Sequence, residues 1–307
     1  MAVTIRPAEP ADRHQLNAML DSDPDPLWLA QGHRFHRFPG TTDPDPPAGS
    51  ITMAAVEDGT VIGLGTARTN AVHPGRINTA IEVRPERRRE GIGSALLRCL
   101  LDARHRLRAP RLPLSGKVRT GSGAAGFAAA NGARVYQHCP APVGDPRSAA
   151  MACWFADRDD ADAGAVSSLD ELPDRLVAQY FRELYLWVHE DWSPADVAAL
   201  AAISDAAAAE CDRRLSSLVR VGGRAAAVVF AFRTDTDLEL VCETLRRDQP
   251  DGRRLLARGV ARTLQVAAAS GVTRVEFDGH TSDPHLAALL ADIPLPERHP
   301  LDLVEIP

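Results

Sequence analysis

The chain has 307 residues, which is long for one small domain and suits two domains of ordinary size. Hydrophobic residues make up 45% of it and charged residues 25%, as is usual in soluble globular proteins. The formal net charge of −6 argues against a nucleic-acid-binding protein, which normally carries a basic domain or face.

The first half of the sequence follows the pattern of a mixed α/β domain. Glu57-Asp58-Gly59-Thr60 separates two strand-like runs and predicts a hairpin. Apolar residues at helical spacing follow Gly91 and predict a helix to about Leu107. The full prediction for this half comprises strands at Val3–Arg6, Ile51–Val56, Val61–Thr69, Ile77–Val83, Leu112–Val118, Arg134–Gln137 and Ala150–Phe155, and helices at Pro10–Leu20, Gly91–Leu107 and Gly126–Asn131.

An acidic stretch without periodicity, DRDDADAG, follows at residues 157–164. Such a composition is typical of a linker between domains. We therefore expect a first domain at residues 1–157, a linker at residues 158–167 and a second domain at residues 168–307.

The order of predicted elements in the second half repeats that of the first. Three pairs of landmarks have nearly constant separations: the hairpin glycines Gly59 and Gly222 by 163 positions, the helix-opening glycines Gly91 and Gly252 by 161, and the following strands, which begin near Leu112 and Val272, by 160. This repetition predicts one α/β fold used twice. Because residue identity between the halves is low, two unrelated α/β domains stay open as the alternative.

The cysteines and the N-terminal sequence indicate the cellular compartment of the protein. The five cysteines are odd in number and form no CxxC pair, which favours free thiols in a reducing environment. The N-terminus is charged early and lacks the apolar core of a signal peptide. No apolar run reaches the length of a membrane span. We expect a cytoplasmic protein without a membrane or nucleic-acid partner, a monomer or a homodimer.

The stretch VRPERRREGIGSALL, from Val83 to Leu97, predicts an anion site. The first N–H groups of a helix have no internal partner, the helix dipole adds positive charge there, and glycine lets a phosphate approach the backbone. The sequence is neither a Walker A loop nor a Rossmann fingerprint, because the Gly-Lys-Ser/Thr and the third glycine are missing. A helix start that uses glycines only for close packing is the alternative.

The motif Arg88-Arg89-Glu90-Gly91-Ile92-Gly93 resembles the Q/R-x-x-G-x-G/A motif of the GNAT superfamily of N-acetyltransferases. The segments TIRPAEPAD, IEVRPERRREGIGSALL and FAAANGARVY also follow one another in the family's order. The resemblance covers most of residues 1–157. Together with the repeat, it implies a tandem GNAT protein, with two α/β domains that each contain a twisted, mostly antiparallel mixed sheet flanked by helices.

The resemblance implies acetyl-CoA as the co-substrate and requires no metal. In the family, the corresponding loop binds the pyrophosphate through backbone N–H groups, and the preceding strand pairs with the pantetheine arm. The implied coenzyme-binding residues are Ile81, Glu82 and Val83 on the strand, and Arg88, Arg89, Glu90, Gly91, Ile92, Gly93 and Ser94 in the loop and helix start.

The reaction of the family is direct attack of an amine on the thioester, which needs a base and an acid. Glu82 is the candidate base; a solvent-facing strand residue is the alternative. The usual acid is a tyrosine, but Ala128 occupies that position here. Tyr136 is the only tyrosine of the first half and is the candidate substitute, although a position in the core of a strand is the alternative.

The second copy departs from the motif. Its equivalent loop keeps Gln249 and Gly252, but Arg254 replaces the second glycine, Pro250 removes a backbone donor and Asp251 adds a negative charge. We therefore expect a degenerate C-terminal copy that does not bind acetyl-CoA normally.

The residues that would choose the acceptor are less specific. Four aspartates between residues 23 and 45 could attract a cationic amine, but each precedes a proline and suits an ordinary turn: Asp23, Asp25, Asp43 and Asp45. His33 and His36 lack further metal ligands nearby. We expect an N-acetyltransferase for a small primary amine, such as an antibiotic or a metabolite. The alternatives are a non-catalytic acyl-CoA-binding or interaction protein, and a transferase for another acyl donor such as succinyl-CoA.

Overall fold

A computed structural model describes residues 2–12, 14–16, 18, 49–107, 111–156 and 165–307. These residues form a mixed α/β fold with two seven-stranded sheets. The chain divides into two compact units: residues 1–136 with 302–307 form unit 1, and residues 137–301 form unit 2. The expectation of two α/β domains, each built on a mixed sheet, is confirmed.

The sheet of unit 1 has the strand order β1-β2-β3-β4-β5-β14-β6. Its first four strands pair antiparallel, and β4 pairs with β5 in parallel. The strands are β1 (Thr4–Pro7), β2 (Ser50–Glu57), β3 (Thr60–Thr69), β4 (Ile77–Val83), β5 (Leu114–Arg119), β6 (Arg134–Cys139) and β14 (Leu301–Ile306).

Helix α1 (Ile92–Ala103) packs on one face of this sheet. Two glycines of β3 permit the contact, because a Cβ on Gly65 would lie 3.1 Å from Leu100 and one on Gly63 would lie 3.3 Å from Ile92. Residues 14–16 are helical, and Leu16 packs against Val61 and Leu64 on the other face. The hairpin between β2 and β3 turns at Asp58 and Gly59, which both have positive φ; the predicted hairpin is therefore confirmed.

Unit 1 also contains helix α2 (Gly123–Ala130), whose N-cap is Ser122. The Ser122 hydroxyl accepts a hydrogen bond from the backbone N–H of Ala125, which is the usual way to satisfy a free donor at a helix start.

The sheet of unit 2 has the strand order β13-β7-β12-β11-β10-β9-β8. The order of its central strands mirrors that of unit 1: antiparallel β9, β10 and β11, then β12 parallel to β11. The strands are β7 (Pro142–Gly144), β8 (Ala165–Ser167), β9 (Ser217–Val221), β10 (Arg224–Thr234), β11 (Asp237–Thr244), β12 (Arg274–Asp278) and β13 (Glu297–Arg298), and the helices are α3 (Ala149–Ala156), α4 (Asp174–His189), α5 (Val197–Glu210), α6 (Gly252–Ala269) and α7 (Pro284–Leu290).

One predicted strand is wrong: the segment Ala150–Phe155 belongs to helix α3. Met151, Trp154 and Phe155 are buried at helical spacing and join the core beside α6, while the alanines favour the helix.

The boundaries of the compact units differ from the expected domain boundaries at residues 157 and 168. Unit 2 already begins at Gln137, and the last strand of the chain, β14, lies between β5 and β6 in the sheet of unit 1. Strand pairing between distant parts of the sequence leaves no mark on local composition, and the expected domain boundaries at residues 157 and 168 stay predictions.

Within the described residues, no helix has both the length and the apolar character that crossing a membrane requires.

Candidate active site

The two central strands of unit 1 separate at the candidate site. Parallel pairing of β4 and β5 comprises only Ile77 with Leu114 and Asn78 with Ser115. Strand β4 continues to Val83 and stays paired with β3 on its other side. The backbone of the last part of β4 therefore has an edge that faces a gap, where an extended ligand could pair with it.

The loop after β4 presents backbone N–H groups at the start of α1. A short 3-10 turn spans Pro85–Arg87, and Arg89 and Gly91 adopt positive φ values of 71° and 83°. The first hydrogen bond of the helix runs from the Ala95 N–H to the Gly91 carbonyl at 3.0 Å. The N–H groups of Ile92, Gly93 and Ser94 precede it, as the anion site requires.

Gly93 lies close to α2. A Cβ added at Gly93 would lie 3.3 Å from the Phe127 ring and 3.8 Å from Val83. Glycine here keeps the first turn of α1 close to its neighbours and leaves no side chain over the N–H groups.

Arg84 and Arg87, two of the arginines in this segment, bind protein groups. Arg87 forms ion pairs with Glu57 at 2.5 Å and with Glu90 at 2.9 Å. Hydrogen bonding from Arg87 lowers the pKa of Glu57. The Arg84 Nε donates to the Val61 carbonyl at 2.8 Å. These contacts hold the loop against the sheet. Some of the arginines in the loop therefore stabilise its position.

Arg88 links the loop to the candidate base. Its Nε donates to the Val83 carbonyl at 3.0 Å, and its Nη2 donates to Glu82 Oε1 at 2.8 Å. The same Glu82 oxygen accepts the Val83 N–H at 3.1 Å. Glu82 pairs with Leu64 across β3, and Leu64 packs on the face opposite α1. Glu82 therefore lies on that opposite face, beside the gap, with its charge compensated by Arg88.

Tyr136 lies elsewhere in unit 1. The Arg76 guanidinium stacks 3.9 Å from the centroid of the Tyr136 ring and pairs with Glu305 at 2.6 Å. Arg76 directly precedes β4, whereas the loop follows β4, so the two ends of this seven-residue strand are about 20 Å apart. Tyr136 lies near the end of β4 that is distant from the loop. Its role as the acid stays a prediction.

Ala128, at the position of the usual acid, is buried and packs with Val118 and Val304. A buried methyl group cannot donate a proton, so α2 supplies no acid at this position.

The corresponding loop of unit 2 has a different geometry. Asp251 occupies the N-cap of α6 with φ 55°, and a Cβ on Gly252 would lie only 2.5 Å from the His285 ring. His285 thus stands directly over the start of the helix. A cavity of about 590 Å³ lies here, and its lining includes Arg253, Arg254 and His285.

Sequence reasoning missed a carboxylate in unit 2. Glu243 lies 161 positions after Glu82, the separation that also relates Gly91 and Gly252. Both glutamates accept the N–H of the next residue, at 2.6 Å in the case of Glu243. Glu243 also accepts the N–H groups of His285 at 3.1 Å and Leu286 at 2.9 Å, at the start of α7.

Burial raises the pKa of Glu243, although these hydrogen bonds act in the opposite direction. The counterpart of the candidate base in unit 2 is therefore an internal helix cap, 1% exposed. The constant separation was the signal that could have identified it in the sequence.

The aspartates at residues 23–45 and the pair His33 and His36 lie outside the described residues. Among the residues with described positions, no group of three or more potential ligands forms a metal site.

Comparison with known proteins agrees with this architecture. Residues 14–132 match the acetyltransferase (GNAT) family. A GCN5-related N-acetyltransferase from Sphaerobacter thermophilus is 15% identical with a TM-score of 0.64, covering 99% of this chain and 96% of that chain. A tandem GNAT protein from the clavulanic acid biosynthesis pathway is 18% identical with a TM-score of 0.59, and the match covers 99% of this chain and 98% of that chain.

A third similar structure is a GCN5-related glucosamine N-acetyltransferase region of a fungal multi-domain β-N-acetylglucosaminidase. It is 12% identical with a TM-score of 0.63, and the match covers 99% of this chain and 38% of that chain. No curated protein sequence matches the chain.

Residues 14–132 match the GNAT family of acetyltransferases, and the chain as a whole has the fold of these solved structures, among them a tandem GNAT protein.

Proposed function

We propose that the chain is an acetyl-CoA-dependent N-acetyltransferase, that its catalytic site is in unit 1, and that its acceptor is a small primary amine, an antibiotic or a metabolite. The observation that carries this proposal is the separation of β4 from β5 directly before a loop with two left-handed residues and the first N–H groups of α1, which precede the first hydrogen bond of the helix. A pantetheine arm fits the open edge of β4, and a pyrophosphate fits the N–H groups of Ile92, Gly93 and Ser94.

In the proposed reaction, the amine nitrogen attacks the thioester carbonyl, a C–N bond forms and the C–S bond breaks. The amine loses a proton and the leaving thiolate gains one. Glu82 would take the proton of the ammonium, directly or through water. Its ion pair with Arg88, at 2.8 Å, would hold the carboxylate in place beside the gap. Backbone N–H groups of β4 at the gap would stabilise the developing oxyanion.

Unit 2 would have no part in coenzyme binding. Asp251 opposes a pyrophosphate by its charge, His285 covers the helix start and Glu243 serves as a helix cap. Its proposed role is structural.

The buried Ala128 favours a second candidate function, an acyl-CoA-binding protein without catalysis. A turnover assay with acetyl-CoA and amines distinguishes the two functions. Release of the CoA thiol in the presence of amines would support the transferase, whereas tight acetyl-CoA binding without release would support the binding protein.

The test is isothermal titration of acetyl-CoA into the wild type, Gly93→Arg and two control variants. Gly93→Arg places at this position the residue that unit 2 has at Arg254. We expect one site per chain in the wild type and loss of binding in Gly93→Arg. Gly93→Ala has the same close Cβ contact with Phe127 without the long side chain, and Gly75→Arg adds the same charge where no atom lies within 4 Å of the new Cβ. Both controls should bind. Two sites, or unchanged binding in Gly93→Arg, would place the coenzyme elsewhere.

We also propose a cytoplasmic location, supported by five free cysteines. The expectations of a monomer or homodimer and of no nucleic-acid or membrane partner stay predictions.

A further inference from the structure

Strand β5 carries two cations beside the gap. The register pairs Asn78 of β4 with Ser115 of β5, so these two residues lie on the same face of the sheet. Side chains alternate along a strand, and Lys117 and Arg119 therefore also lie on the face of Asn78. Glu82 lies on this face too. Both cations are half-buried, so they are neither enclosed in the core nor fully solvated.

This face is opposite to the one that α1 covers. Leu114 of β5 packs in the core beneath α1, and Leu64 of β3, the partner of Glu82, packs on the other side with Leu16. The offset of this register relates Lys117 to Ala80 and Arg119 to Glu82, although the two strands no longer pair there. The two cations therefore lie on the β5 side of the gap, opposite the part of β4 where the proposed thioester would lie.

Among the described residues of β3, β4 and β5, the side chains on this face include more cations than carboxylates. Its cations are Arg68, Lys117 and Arg119, and its carboxylate, Glu82, is already paired with Arg88. Lys117 is also the only lysine of the chain, in which arginine supplies the other basic side chains. A polycationic acceptor would be repelled here, whereas a carboxylate would be attracted.

We propose that Lys117 and Arg119 bind a carboxylate group of the acceptor, so that the substrate class is an amine that also carries a carboxylate, such as an amino acid. This inference rests on the proposed function and narrows its substrate. Each cation also interacts with other groups of the chain, so the carboxylate would join or exchange an existing contact.

The test compares the affinities of L-amino acids with those of their carboxamides. A carboxamide keeps the amine and the shape of the amino acid but lacks the negative charge of the carboxylate. Titrations use the intact protein saturated with CoA. We expect at least one amino acid to bind about tenfold more tightly than its amide, as is typical of a charge-assisted hydrogen bond. The ratio of the affinity for the amino acid to the affinity for its amide should fall towards one in Lys117→Gln and Arg119→Gln. Arg98→Gln, an exposed charge change on α1, should leave it unchanged.

Equal affinities of acids and amides, or no binding of any acid, would overturn the inference. A ratio that persists in the Lys117→Gln, Arg119→Gln double variant would also overturn it. If the variants weaken succinyl-CoA binding but neither acetyl-CoA nor acid binding, the carboxylate belongs to the acyl donor, and the assignment to the acceptor is wrong.

Acetyl-CoA titration and circular dichroism show whether each variant is folded. If Lys117→Gln is not folded, Lys117→Met replaces it. Absence of acetyl-CoA binding to the wild type refutes the proposed function, whereas the acid-to-amide ratio alone decides this inference.

Discussion

Replacing Glu305 by glutamine tests how the C-terminal strand is held in the sheet of unit 1. The Glu305 side chain is 4% exposed and pairs with Arg76, which is 17% exposed, and with Arg134, which is 74% exposed. Burial alone would raise the pKa of Glu305, but the hydrogen bonds from the two arginines outweigh it and lower the pKa. The carboxylate is therefore ionised in the folded protein near neutral pH.

The expected loss follows from the exposure of each partner. Removing one member of a buried ion pair costs about 3–5 kcal/mol, whereas an exposed pair contributes about 0–1 kcal/mol. Glutamine keeps one acceptor oxygen, and Arg76 is not completely buried. We therefore expect this part of the sheet to lose about 2–3 kcal/mol of local stability, which is roughly a 30- to 160-fold increase in its opening.

Hydrogen exchange followed by mass spectrometry is the suitable assay. Trp154, Trp187 and Trp192 all lie in unit 2, so tryptophan fluorescence mainly reports the other unit. Peptides from β5, β6 and β14 should exchange faster by that factor in Glu305→Gln, and peptides from unit 2 should not. Glu86→Gln, an exposed change in unit 1, is the control. A change below about threefold in β14 would refute the reasoning.

The effect should depend on pH. Because the folded pKa of Glu305 lies below its ordinary value of 4.5, its stabilisation is complete above pH 4.5 and disappears as the pH falls through the folded pKa. Urea unfolding followed by circular dichroism should therefore show a smaller difference between wild type and Glu305→Gln at pH 3 than at pH 7.

Three further predictions concern buried contacts. Glu243 has a raised pKa, so the stability of unit 2 should fall as the pH rises from 4.5 through that pKa, and Glu243→Gln should remove this part of the slope in urea unfolding monitored by tryptophan fluorescence. Gly252→Ala should destabilise unit 2 in the same assay, because the new Cβ would meet the His285 ring. His285→Ala in the same chain should suppress that loss of stability, and additive effects of the two changes would contradict the contact between Gly252 and His285. Gly65→Val should cost about 1–3 kcal/mol through overpacking against Leu100, and unchanged exchange in α1 peptides would contradict it.

The sequence predicted the parts of the fold that depend on local chemistry. Gly59 needs a positive φ in the hairpin, and Gly91 needs one before α1, so the pattern identified both turns. The regular spacing of apolar residues identified α1. The same reasoning failed at Ala150–Phe155, because a short apolar run fits either a buried strand or a helix, and only packing beside α6 decides between them.

Properties that depend on distant residues could not be predicted in this way. The position of β14 between β5 and β6 depends on pairing across most of the chain. The arginines before α1 suggested phosphate binding from their number, but the structure assigns Arg87 to Glu57 and Glu90 and Arg88 to Glu82. The predicted catalytic roles of Glu82 and Tyr136 stay predictions.

The position of β14 has a consequence for biosynthesis. Strand β6 ends at Cys139, and its neighbour in the sheet begins only at Leu301, about 160 residues later. At a translation rate of about 5–20 residues per second, the sheet of unit 1 lacks this internal strand for roughly 8–30 s after β6 has been made. The buried core beneath α1 comes from residues 53–114 and can form early, whereas the sheet of unit 1 is completed only after residue 301 has been made. During that interval, β5 and β6 expose unpaired edges to which a chaperone, or a strand of another nascent chain, can bind.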